Sequence, residues 1–199
     1  PNSISFYMRN LRAAYNRAVE KDLVQQANPF RHVYTGIAKT IKRALPIKAL
    51  QRIMSLNLEA SPSLDFARDM FMFSFYTRGM SFVDMAYLRK KDLTDGILSY
   101  RRRKTKQRMS IRWERCMQEI VDKYDSSRSS FLLPIIRPDS CFEERRQYIY
   151  ASHNINHSLK ALSRRLEMDI PLTMYVARHS WASIARSKNI PLAVISEGM

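Results

Sequence analysis

The run Leu172-Thr173-Met174-Tyr175-Val176-Ala177-Arg178-His179-Ser180-Trp181-Ala182-Ser183 combines a helix start with a compact polar cluster. Thr173 is a favoured N-cap, because its hydroxyl can accept from an unpaired amide of the first turn, and it predicts a helix over 174–186. Taken alone, Arg178-His179 reads as an ordinary surface pair. Two earlier segments bear on it: Tyr76-Thr77-Arg78-Gly79-Met80-Ser81-Phe82-Val83-Asp84-Met85-Ala86-Tyr87-Leu88, and Arg103-Lys104-Thr105-Lys106-Gln107. Singly these too are bland, Arg78 as a helix-end charge and Lys104 as a solvated turn residue.

Outward from these segments, periodicity predicts mostly helix. Ile4, Tyr7, Met8, Leu11, Tyr15, Ala18 and Val19 keep helical spacing over 4–24, and Asn28-Pro29 stops that helix. The basic stretch that follows reads as a linker. Pro46 suits the first residue of a helix reaching 56, since proline needs no amide partner there. Ser61-Pro62 opens a helix carrying Leu64, Phe66, Ala67, Met70, Phe71, Phe73 and Phe75, apolar nearly all round and so expected at the centre of a helical core. A short helix over 82–88 follows Gly79. The period then drops to two, predicting paired strands over 97–103 and 107–113, with Asp95-Gly96 as a separate turn ahead of the first. Helix returns over 114–124. Residues 126–139, with Pro134 and Pro138, read as loop. A long basic helix follows over 152–166, and Pro191 starts a last one. The fold class is therefore mainly α with a small antiparallel β-sheet.

Charge narrows the function. Thirty-four Lys+Arg against 18 Asp+Glu give a net charge of +16 over 199 residues. Such an excess calls for a polyanion: DNA, RNA or an acidic membrane surface. The charge is clustered rather than interspersed, for Arg101, Arg102, Arg103, Lys104, Lys106, Arg108 and Arg112 fall in one stretch without an acid. The content of hydrophobic residues, 45%, excludes disorder as the general state. No apolar run approaches the roughly 20 residues of a membrane span, and Arg9, Arg12 and Arg17 break any signal-peptide pattern. Cys116 and Cys141 lack a paired spacing and read as free thiols of a reducing cytoplasm. His153 and His157 stand four apart on a helix, a spacing that can bind metal, but without a third ligand they read as a solvated face, so no metal is expected.

In their order and spacing, the three segments resemble the tyrosine recombinase (phage integrase) family. Its pattern is a Thr-Gly-x-Arg turn, a lysine in a hairpin, then His-x-x-Arg-His-(Ser/Thr)-(Trp/Phe)-Ala-(Thr/Ser), which Ala177 to Ser183 match nearly residue for residue. Within the family the chain is similar to the integrases and DNA invertases of bacterial mobile elements. The resemblance implies the family's catalytic-domain fold over 46–199, truncated at its C-terminal side. It also implies a linker over 31–45 and the last helix of a DNA-clamping core-binding domain over 1–30. It implies site-specific recombination of double-stranded DNA through a 3′-phosphotyrosyl intermediate, in a synaptic tetramer in the bacterial nucleoid, with accessory DNA-bending proteins as further partners. No metal or cofactor is implied.

Carried over residue by residue, Arg178 is a phosphate clamp and Lys104 the general acid for the departing 5′ oxygen. Arg101, Arg102, Arg103, Lys106, Arg108 and Arg112 bind the DNA backbone. The chain departs from the pattern at three places. Aligned on Gly79 and Asp84, the first arginine falls at Ser81, and Arg78, expected one helical turn away, is the replacement charge. Tyr175 stands where the family has histidine and retains a phenol that can donate to phosphate. The attacking tyrosine is expected after Met199. Asp84 is expected to cap or orient its helix, and His179 to pack beside the clamp. Two other classes compete: a non-catalytic DNA-binding regulator on the same fold, and an RNA-binding module, which lacks its usual aromatic stacking motif.

Overall fold

Helix α3, Pro62–Tyr76, is the axis of the larger part of the chain in the computed structural model, which describes residues 2–38, 43–124 and 129–199. Its Ala67, Met70, Phe71 and Phe73 are completely buried, as its all-round apolar sequence requires. Around it pack α2 (Ile47–Met54), α5 (Arg115–Asp122), α6 (Glu144–Arg165) and α7 (Met174–Ser187). Pro46 precedes α2 as its N-cap. Two short helices, α4 (Phe82–Ala86) and α8 (Leu192–Glu197), and a single 3-10 turn over Lys90–Asp92 complete the helical elements of this part among the described residues. Helix α6 begins eight residues earlier than its basic pattern suggested; its first turn, Glu-Arg-Arg-Gln over 144–147, is polar and mostly exposed and so carries little apolar signal.

Among the described residues the sheet has three strands, β1 (Leu93–Thr94), β2 (Ile97–Arg101) and β3 (Arg108–Arg112), antiparallel and in that order. The sequence reading missed β1, which at two residues is too short to show a period. Asp95-Gly96 is consequently the hairpin turn between β1 and β2, with both residues at positive φ (51° and 73°), as a two-residue turn of this hand demands. Register places Ile97 opposite Arg112, Ser99 opposite Ser110 and Arg101 opposite Arg108, all exposed. Leu98, Met109 and Ile111 turn inward and are buried.

Residues 1–42 and 43–199 form two units. In the first, α1 (Asn2–Glu20) is backed by the chain that follows it. Ser5 donates to the Gly36 carbonyl, Asn2 exchanges hydrogen bonds with Ala38 at 3.1 and 2.8 Å, and the Tyr15 hydroxyl bridges Gln25 and Ala27. Residues 31–38, read as linker, are thus laid along α1 by side chains whose reach no local pattern reveals; residues 39–42 of that reading lie outside the described residues. The apolar stripe of α1 foretold a helix, yet Ile4, Tyr7 and Leu11 stay exposed and the buried residue is Ser5.

Candidate active site

The turn from α3 into α4 carries the first part of the site. Thr77 caps α3, the Arg78 amide donates to Phe75 at 3.2 Å and the Gly79 amide to Ser74 at 2.7 Å, which is the Schellman pattern. Arg78 (φ 60°) and Gly79 (φ 72°) both lie in the left-handed region. This corrects the expectation that Arg78 and Ser81 share a helix face: a non-helical turn separates them. Gly79 is required twice over, since a Cβ there would stand 2.6 Å from the Arg178 Cα on α7. The turn and α7 therefore touch backbone to backbone.

Ser81 is the N-cap of α4 and also donates its hydroxyl to Asp84 Oδ2 at 2.6 Å. Asp84 is 4% exposed, and its other oxygen accepts from the Arg103 amide at 2.8 Å. One carboxylate thus ties the start of α4 to the end of β2, the orienting role expected of it. Above this root, Lys106 (φ 60°) closes the turn between β2 and β3 by donating its amide to the Arg102 carbonyl at 2.9 Å, leaving Lys104 exposed. The Arg103 guanidinium lies 3.8 Å above the Tyr87 ring, held against the protein by a cation–π contact. Arg101, Arg108 and Arg112 share the exposed sheet face with Ser99 and Ser110.

Helix α7 supplies the rest. Thr173 occupies its N-cap without a side-chain hydrogen bond; Asn156 of α6 accepts from the Met174 amide instead, at 3.0 Å. The half-buried Arg178 donates to the Gly79 carbonyl at 2.8 Å and to the Met199 carbonyl. Burial, and then the neighbouring Arg102, push its pKa below the usual arginine range. Tyr175 is exposed and meets His179 edge-on with ring centroids 4.4 Å apart.

Ser81, Arg102, Lys104, Asn156, Lys160, Tyr175 and Arg178 line one cleft of ≈ 670 Å³, together with the Gly79–Met80 turn. Four expected site residues thus converge from three distant segments. Arg78 and His179 do not line the cleft: the Arg78 Cδ lies 3.7 Å from where a Cβ on Gly198 would be, and His179 packs behind Tyr175. Arg102, expected on the DNA backbone, belongs to the cleft as well. Asn156 and Lys160 were missed. Their only signal was a basic helix of uncertain facing, and only the packing of α6 against α7 shows which turn of it faces the cleft. Another cavity, ≈ 680 Å³, is lined by Phe66, Ile135, Phe142 and Tyr150 with Arg137 and Arg146, and none of the three segments reaches it. Among the described residues no group of His, Cys, Asp or Glu is placed to hold a metal ion, and no helix is long and apolar enough to cross a membrane.

No protein-family model and no curated protein matches the chain. Solved structures do. The integrase of the Tn1549 transposon, in complex with circular intermediate DNA, is similar at a TM-score of 0.63 and 14% identity, over 96% of this chain and 68% of that one. A lambda integrase tetramer bound to a Holliday junction matches at 0.61 and 15%, over 95% and 55%. XerA recombinase matches at 0.54 and 12%, over 78% and 55%. The chain thus spans between about half and two thirds of the chains it matches. All three are tyrosine recombinases, and the fold of this chain is that of the tyrosine recombinase catalytic domain.

Proposed function

We propose that this chain carries the phosphate-binding part of the active site of a site-specific DNA recombinase, which cuts and rejoins DNA through a 3′-phosphotyrosyl intermediate. The observation that carries this is the convergence of Ser81, Lys104, Tyr175 and Arg178 on one basic cleft, on a fold shared with DNA-bound integrases. Attack on a phosphodiester gathers negative charge on its non-bridging oxygens, and the planar fork of Arg178 matches two of them. Lys104, on an exposed turn, protonates the departing 5′ oxygen. Tyr175 donates its phenol to the phosphate where the family has an imidazole, and His179 steadies the Tyr175 ring. The attacking oxygen belongs to a tyrosine that follows residue 199, and Arg78 adds charge beside the cleft.

The partner is a double-stranded recombination site, bound with further copies of the protein in a synaptic tetramer and with accessory DNA-bending proteins. Residues 1–30 are the end of a core-binding domain and 46–199 the catalytic domain. Whether the product is an integration, an excision or an inversion depends on how the sites are arranged in the DNA. A regulator that binds DNA without cutting it is the second reading, favoured by the commitment of Ser81 to helix capping where the family has an arginine.

A nicked duplex that traps cleavage decides between them. The full-length protein is expected to give a DNA adduct that survives denaturing electrophoresis, and the 199-residue chain none. Binding without adduct by the full-length protein establishes the regulator, and an adduct on the shorter chain overturns the placement of the tyrosine.

A further inference from the structure

The position at which an arginine is missing is occupied by Ser81, whose hydroxyl is already engaged by Asp84. The same carboxylate holds the Arg103 amide, so the backbone next to Arg102 is fastened directly to the start of α4. Arg102 is also pinned on its own backbone, donating to the Gln107 carbonyl and accepting from the Lys106 amide, each at 2.9 Å. Its neighbours Arg101 and Arg103 are exposed, while Arg102 is half-buried and lines the cleft with Ser81, Lys104 and Arg178. Among the described residues the lining of that cleft includes no acidic side chain.

We propose that Arg102, delivered from the end of β2, is the second guanidinium of the phosphate clamp and replaces the arginine absent at Ser81. This rests on the recombinase reading and adds to it the residue that completes the site. Two like charges facing one cleft repel each other; the buried Asp84, already engaged by Ser81 and the Arg103 amide, acts on Arg178 less strongly than Arg102 does, and the remaining repulsion is relieved when an anion enters. The electrostatics agree, because after burial Arg102 is the strongest influence lowering the Arg178 pKa. The Tyr100 phenol nearby cannot be their counter-ion: burial first, and then Asp84, raise its pKa to about 12, so it stays neutral. Arg102 has the rigidity the role needs, since it sits at the fastened root of the turn, whereas Lys104 rides the exposed part and can follow the leaving oxygen.

Two arms test this in the full-length protein. In the first, inorganic phosphate is titrated and followed by ³¹P NMR. Arg102→Ala and Arg178→Ala are each expected to weaken binding about tenfold, the scale of one charge-assisted contact, while the remote Arg115→Ala stays within about twofold of the unmodified protein. In the second, the trapping duplex carries either an ordinary scissile phosphate or a neutral methylphosphonate. Arg102→Ala is expected to lose on the order of 10²–10³ in adduct formation on the phosphate and to regain most of it on the methylphosphonate, which a merely misfolded variant cannot do. Arg102→Ala behaving like Arg115→Ala in either arm, or Arg78→Ala showing the loss and rescue instead, overturns the assignment. If the unmodified protein gives no adduct on either duplex, the recombinase reading fails and the phosphate titration alone decides Arg102.

Discussion

At Gly79 a single hydrogen in place of a side chain lets two helices share one site. The residue takes φ 72° and approaches the Arg178 backbone so closely that a Cβ would meet its Cα at 2.6 Å. Gly79→Ala therefore incurs both left-handed strain and a backbone clash that no rotamer relieves. An expected loss of about 2–6 kcal/mol follows from adding the two effects, measurable as a lowered urea midpoint. A loss below about 0.5 kcal/mol, the range of neutral surface changes, contradicts the close approach. Arg78 illustrates the opposite choice. It occupies the position after the α3 cap where glycine is preferred, so an arginine is kept there at a conformational cost of roughly 1 kcal/mol. The fold does not require an arginine at this position, which leaves its charge free for a functional role.

Among the elements, the β2–β3 hairpin separates its cations by the two faces of a strand. Arg101 stands directly opposite Arg108, an unfavourable like-charge pair in the free protein. With Arg112 they form an exposed face whose register a DNA backbone can neutralise. Arg103 is held on Tyr87 and Arg102 faces the cleft, so they do not belong to this face. Replacing Arg101, Arg108 and Arg112 together by alanine is expected to reduce the slope of log binding constant against log salt by roughly 0.9 for each phosphate no longer neutralised. Fluorescence anisotropy with a duplex over low to moderate salt measures it, and an unchanged slope removes this face from the DNA interface. Arg112 is the weakest of the three candidates, because Glu114 already lies 3.5 Å from it.

At the scale of the whole catalytic unit, Asp65 and Asp69 of α3, which also pair with Arg68 on the same helix, lock α3 to the end of α5 through Lys123, with Tyr124 donating to the buried Asp69 at 2.7 Å. Three tyrosines packed against the core resist ionisation. Burial is the leading cause for Tyr76 and Tyr100, both pushed up to about 12, and for Tyr124, raised further by Asp69. Their folded-state values lie above the ordinary 10 of an unfolded chain, so the folded protein holds the proton more tightly. The stability this adds is full below about pH 10 and disappears as pH rises through about 12. Urea midpoints are expected to fall across that window, and Tyr100→Phe to make the fall shallower. An equally steep fall in the variant places the responsible group elsewhere.

Much of this was legible in the sequence, where a single residue type or a long period dictates the outcome. The central α3 followed from apolar residues on every side, α7 from its start and its match to a known pattern, and the β2–β3 hairpin from alternation around a basic turn. The polyanion partner followed from clustered charge. What local sequence does not carry is which turn of a helix faces which neighbour. Asn156 and Lys160 reach the cleft because α6 packs against α7, and Asn156 takes over the capping that Thr173 was expected to provide. Arg102 looked identical to Arg101 and Arg103 in a run of like charges. The Asp84 bond to the Arg103 amide and the pleat of β2 direct it inward, and both are set by contacts between segments far apart in the chain. The chain by itself specified the elements and the sign of the charge, because helical period, turn chemistry and net charge are local or summed properties. The tertiary structure selected which cations share one cleft, because that depends on distances between elements that no single stretch encodes.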